Sequence, residues 1–224
     1  MSEITYSTII VRGEDAFEFL QAQLTVDLND LPDEPEATTI RSAWCNPKGR
    51  VILLADISRV ADGFELSLPA DLADLAVQKM TLFRFRSKVE FTIQPGRVSS
   101  KESELDRLLA GVPQIQKAQS EEFTPHMLNL DLLGIVSLEK GCYPGQEIVA
   151  RTHYRGASKR RCCRFQSIDP ASAGDKVEAD GRAVGEVVNA IDTDLLAVVP
   201  VAAADDSLTV NNSPLTRQDL PYAL

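Results

Sequence analysis

Hydrophobic and polar positions change rhythm twice along this chain. Ile4 to Val11 is dense in β-branched residues and predicts a strand. From Gly13 to Leu24, Phe17, Leu20 and Leu24 fall at helical spacing behind first-turn acids. Thr38 to Cys45 and Arg50 to Arg59 then read as paired strands around Asn46-Pro47-Lys48-Gly49, a sequence suited to a hairpin turn. Ala61-Asp62-Gly63 turns the chain into another strand, Phe64 to Leu68. Pro69 to Leu82 follows as an amphipathic helix, with Leu72, Leu75, Ala76 and Met80 on one side, and Arg86 to Ile93 returns as a strand. This order predicts an α+β fold, a helix-backed antiparallel sheet.

Beyond Ile93 the signal weakens. Gln94 to Lys101 reads as a loop, Glu102 to Ala110 as a short helix, and Thr124 to Leu133 as helical or mixed. After Gly156, short apolar stretches alternate with turn signals at Gly174-Asp175, Ala179-Asp180-Gly181, Asn189 and Asn211-Asn212. That pattern fits a small all-β unit of roughly 65 residues. The change falls in a turn at Arg155 to Ala157, dividing the chain into domains 1–155 and 156–224.

Composition adds limits. The 224 residues are 44% hydrophobic and carry a net charge of −10, which argues against general nucleic-acid binding. No apolar run is long enough to span a bilayer, and Met1-Ser2-Glu3-Ile4-Thr5 lacks the pattern of a signal peptide. Four cysteines without disulfide-type spacing suit a reducing cytoplasm. One local exception to the acidic character stands out. Arg151, Arg155, Lys159, Arg160, Arg161 and Arg164 form a basic strip free of acids, able to receive an anion such as a folate glutamate tail or an RNA phosphate.

The richest chemistry lies in Lys140-Gly141-Cys142-Tyr143-Pro144-Gly145-Gln146-Glu147-Ile148-Val149-Ala150-Arg151. Proline suits a first helical position, which would place Cys142 beside free N–H groups at a positive helix end. That terminus and the Lys140 ammonium favour a thiolate, while Glu139 and Glu147 oppose it. Glu147 and Arg151 are spaced to pair one helical turn apart. No C-x-x-C spacing joins Cys45, Cys142, Cys162 and Cys163, and His126 and His153 are remote from one another in sequence, so no metal site is expected.

The segment resembles the K-G-C-Y-x-G-Q-E motif of the YgfZ family, folate-binding-like proteins that assist iron–sulfur enzymes, and matches it at every fixed position. Gly13 to Asp27 resembles the family's opening helix and Q-x-T-x-D element. Asn46-Pro47-Lys48-Gly49-Arg50 resembles its hairpin turn, Phe123 to Leu130 its approach to the motif, and Tyr154-Arg155-Gly156 its exit. The resemblance extends to the related glycine-cleavage T-protein, and implies a tetrahydrofolate cleft closed by a C-terminal β-barrel. By that likeness Cys142 is the reactive centre with Lys140 as its electrostatic activator, and Tyr6, Tyr143, Gln146, Glu147 and Arg151 are candidate folate contacts.

Two departures qualify the likeness. Where the T-protein carries an acidic pair after its glycine turn, this chain has Leu53 and Leu54, with Asp56 nearby. Aminomethyl transfer therefore ranks second. The stretch from Thr92 to Leu138 is also short, so the folate cleft is expected to be abbreviated or completed by another subunit. The function implied is a folate-dependent accessory factor for assembly or repair of iron–sulfur enzymes, which would be its partners. Whether it is itself a transferase-like enzyme stays open, and a non-catalytic folate- or RNA-binding module is a further alternative.

Overall fold

The structure, a computed structural model, describes residues 4–32, 38–156, 158–205 and 207–224. Its first part is a five-stranded antiparallel sheet in the order β2-β3-β4-β1-β5. The strands are β1 (Thr5–Arg12), β2 (Thr39–Cys45), β3 (Val51–Val60), β4 (Gly63–Pro69) and β5 (Glu90–Val98). Helices α1 (Ala16–Gln21), α2 (Ala70–Phe83) and α3 (Lys101–Leu109) accompany it. The expected apolar side of α2 buries Leu72, Ala76 and Met80 with Ile9, Val11, Leu66 and Leu68 of the sheet.

The second part is a closed barrel, in the order β10-β11-β6-β9-β8-β7. It comprises β6 (Arg160–Ser167), β7 (Lys176–Ala179), β8 (Arg182–Ile191), β9 (Asp194–Pro200), β10 (Leu208–Val210) and β11 (Ser213–Gln218). Side chains alternate across its wall. Cys163, Phe165, Leu195, Ala197 and Val199 fill the barrel, whereas Cys162, Leu196 and Val198 join the core of the α+β part. The barrel thus has a core of its own, and one outer face of it completes the core of the α+β part. Helix α4 (Gln146–Arg155) precedes the barrel, and Ala157, at the expected boundary, lies outside the described residues. So do Met1 to Glu3, at the head of the segment read for a signal peptide.

Three expectations are corrected. Strand β5 runs to Val98 through the anticipated loop, because an edge strand tolerates Pro95 and the pairing with β1 shifts register there. Thr124 to Leu133, read as helical or mixed, is a succession of turns without a helix. Helix α4 starts at Gln146, capped by left-handed Gly145 at φ 81°, so Pro144 precedes the helix instead of opening it. No helix among the described residues is long and apolar enough to cross a membrane.

Candidate functional site

The motif turn is seated backbone to backbone on the β2–β3 hairpin. In the hairpin, Asn46 Oδ1 accepts the N–H groups of Lys48 and Arg50, and Gly49 takes φ 69°. Gly145 rests directly on it: a Cβ there would come within 2.6 Å of the Asn46 carbonyl oxygen and 2.7 Å of the Gly49 Cα. Ile148 covers Gly49 from α4. Only glycine permits both the left-handed conformation and this approach. The underside is braced by Glu121, which accepts hydrogen bonds from Asn46 Nδ2 (2.7 Å) and Lys79 Nζ (2.6 Å). The Lys79 contact, then Asn46, hold the Glu121 carboxyl below its ordinary range.

Lys140 is committed to backbone groups. Its side chain is buried, and its ammonium donates to the carbonyls of Gln21 (2.7 Å), Leu24 (2.8 Å) and Val26 (2.8 Å). Three N–H groups meet three acceptors just past the end of α1, where helix carbonyls lack partners. Burial pulls its pKa down to about 8, with the Asp27 carboxylate acting in the opposite sense. The same segment holds the approach to the motif, since Thr25 donates to the Ile135 carbonyl and accepts from the Ser137 N–H. Lys140 is therefore a positioning residue that fastens the motif to the opening helix.

Cys142 follows on an exposed stretch. Gln146 Nε2 donates to the Lys140 carbonyl (3.2 Å) and closes the turn around it. Tyr143 is buried, its ring 5.7 Å from the Lys140 ammonium, and its hydroxyl has no hydrogen-bond partner among the described residues. Burial raises its pKa. The other cysteines are all buried, and burial pushes Cys45 up to about 12 and Cys162 and Cys163 upward as well. The N–H groups near the start of α4 are partly occupied by the motif's own carbonyls, Gln146 to Tyr143 and Ile148 to Gly145. That weakens the helix-end argument for a thiolate. Glu147 and Arg151 form the expected pair (2.6 Å), exposed on α4.

Of the expected folate contacts, Tyr6 lies apart from the motif residues Tyr143, Gln146, Glu147 and Arg151. Tyr6 is buried in β1, where it donates to Glu104 Oε1 (3.2 Å) and accepts from Arg107 of α3. A cavity of about 440 Å³ lies between α3 and the barrel, bordered by Ser99, Glu104, Arg107, Gln114 and Asn189 among others. Ser99 Oγ and Gln114 Oε1 in its wall are buried without partners among the described residues. Its size and unsatisfied polar atoms are those of a pocket for a small polar ligand.

The basic strip and the histidines also rearrange. Arg160 donates to barrel carbonyls, Arg161 grips Asp131 with both nitrogens (2.6 and 3.0 Å), and Arg164 pairs with Asp194. With Arg151 on Glu147, three of the six basic residues of the strip are paired with carboxylates. His153, in the last turn of α4, faces His126, with ring centroids 6.2 Å apart. Sequence distance concealed this pairing; the only signal was that the chain has just two histidines.

The acid expected for aminomethyl transfer has no replacement on β3. Leu53 and Leu54 are core residues, and Asp56 is clamped across the sheet by Arg41 (2.7 and 3.0 Å).

The architecture resembles that of a solved aminomethyltransferase. Aminomethyltransferase T of the Bartonella henselae glycine cleavage system superposes with a TM-score of 0.73 at 15% identity, over 96% of this chain and 83% of that one. No family model matches the sequence. An uncharacterized protein of Haemophilus influenzae is 29% identical over 272 aligned positions, covering 98% of this chain and 96% of the relative. The tRNA-modifying protein YgfZ of Vibrio atlanticus is 27% identical, covering 81% and 74%. Its namesake from Pectobacterium carotovorum is 36% identical over 130 residues, 51% of this chain and 39% of the relative. The chain is thus similar in sequence to proteins named YgfZ, and its fold is aminomethyltransferase-like.

Proposed function

We propose that this protein is a folate-dependent accessory factor for the assembly or repair of iron–sulfur enzymes, with Cys142 as its reactive group. The observation that carries this reading is the contrast among the thiols: three are buried, and Cys142 alone is exposed, on a turn gripped on both sides. Lys140 and Gln146 hold the ends of that turn, and Tyr143 and Gly145 seat it. Such a thiol is presented to a partner, here a client enzyme or the cluster it carries, and four free cysteines suit a reducing cytoplasm. A reduced folate would supply a one-carbon unit, held beside Ser99, Glu104 and Gln114 in the cavity.

Aminomethyl transfer is less well supported, because Asp56 is committed to Arg41 and the preceding positions are leucine. The relatives' name, tRNA-modifying protein, raises a tRNA-directed alternative. The internal pairing of Arg160, Arg161 and Arg164 leaves that reading less positive surface than the sequence implied.

The test is complementation of a strain lacking its own family member, with an iron–sulfur enzyme assayed under oxidative stress. Wild type should restore activity and Cys142→Ala, at matched protein level, should not. Equal rescue by both would demote the thiol, and no rescue by either would reject the iron–sulfur reading.

A further inference from the structure

We propose that His126, Asp131 and His153 form a binding site for a borderline divalent transition cation of the Zn²⁺ type, joining the end of α4 to the barrel. The site stands apart from Cys142 and independent of the iron–sulfur reading. Both histidines of the chain meet here, and one ligand atom from each of the three residues lies within 4.8 Å of the others. Among the described residues this is the one such grouping of three or more potential ligands.

The second observation is His126 itself. It is 2% exposed, and neither ring nitrogen has a hydrogen-bond partner among the described residues. Ring packing against His153 accounts for its position but leaves both nitrogens unsatisfied, and a buried unpaired polar group is costly. A cation on Nε2, the nitrogen 3.9 Å from Asp131 Oδ2, would use one of them.

Tetrahedral zinc with bonds of about 2.0–2.1 Å places its ligand atoms about 3.3 Å apart. The present spacing therefore has to close by roughly an ångström, a movement within reach of rotation about the exposed His153 side chain. Asp131 is already oriented by Arg161, leaving lone pairs on Oδ2 for a metal, the kind of outer partner that ligating carboxylates employ. The aspartate and guanidinium charges cancel, so attraction must come from the imidazoles. That selects an ion favouring nitrogen ligands over Mg²⁺ or Ca²⁺. His153 also lies in the last turn of α4, the end of a helix where a positive charge is favoured. With three protein ligands and one of them exposed, the fourth position would be taken by water. Arg161 belongs to β6, so the ion would tie the motif helix to the first barrel strand.

The experiment is a Zn²⁺ titration of the metal-free full chain against a chromophoric chelator, in a Cys142→Ala background so that the exposed thiol cannot contribute. One Zn²⁺ per chain should bind, unaffected by excess Mg²⁺, and Co²⁺ should give the intense visible bands of a tetrahedral nitrogen–oxygen site. His153→Gln, a substitution on the exposed turn checked for folding by circular dichroism, should weaken binding on the order of 100-fold and abolish those bands. Absence of stoichiometric binding by the parent would overturn the proposal. So would equal affinity in the His153→Gln variant.

Discussion

Replacing Lys140 with methionine keeps the aliphatic stem in place and removes the ammonium. The wild-type group serves three carbonyls at 2.7–2.8 Å, and a hydrogen bond to a charged group contributes about 1.5–3 kcal/mol. Three such bonds give roughly 4.5–9 kcal/mol. Against this stands the cost of burying the charge. A fall in pKa from 10.5 to about 8 corresponds to about 3 kcal/mol. The net loss is therefore about 1.5–6 kcal/mol, a sizeable fraction of the ~5–15 kcal/mol that holds a typical domain folded. Urea denaturation at pH 7 should show the Lys140→Met midpoint displaced by that amount with an unchanged slope. The paired assay is the pH dependence of Cys142 alkylation in the folded variant. Because the ammonium is spent on carbonyls, the apparent thiol pKa should match that of the wild type. Undiminished stability together with a raised thiol pKa would refute the argument and restore Lys140 as an electrostatic activator.

Other outcomes follow from the same geometry. A bulky thiol reagent should modify only Cys142 of the four cysteines in the native protein and all four after unfolding; rapid native modification of Cys45, Cys162 or Cys163 would contradict their burial. Gly145→Ala combines a disfavoured φ with a Cβ 2.6 Å from the Asn46 oxygen, so it should cost about 1–3 kcal/mol, read as a drop in thermal midpoint of roughly 2–4 °C per kcal/mol. Because Glu121 titrates lower in the folded protein than its ordinary 4.5, its contribution is present above that value and is lost as pH falls through the folded pKa. Glu121→Gln should accordingly be less stable than wild type near neutrality and lose less on acidification; parallel acid limbs would count against the Lys79–Glu121–Asn46 brace.

Much of the sheet was legible from local pattern. Strands β1 to β4 and helix α2 have clear periodicity and are bounded by breakers, so each was placed within a residue or two. The segment between α3 and α4 has no such period, because distant partners set its path. Glu121 N–H bonds to the Val51 carbonyl and Ser137 N–H to that of Thr25. The contacts of Lys140 were hidden for a related reason: its stem is long enough to serve atoms more than a hundred residues earlier in the chain. The basic strip looked continuous in sequence, yet Asp131 and Asp194, which neutralise two of its arginines, both come from other elements.

The motif is best understood as a clamp for a single side chain. Lys140, Tyr143, Gly145 and Gln146 all make contacts that immobilise the turn, and each depends on a different property: charge, bulk, absence of a Cβ, and an amide donor. Cys142 takes no part in this anchoring. A small apolar-leaning side chain gains nothing from exposure, and fixing the backbone around it costs about 1–2 kcal/mol per residue in conformational entropy. That combination makes sense when the thiol has to meet an incoming partner in one orientation. It follows that loosening the clamp and removing the thiol should harm function by separable routes: Gly145→Ala should lower rescue while leaving Cys142 open to alkylation, whereas Cys142→Ala should abolish rescue while leaving the fold intact.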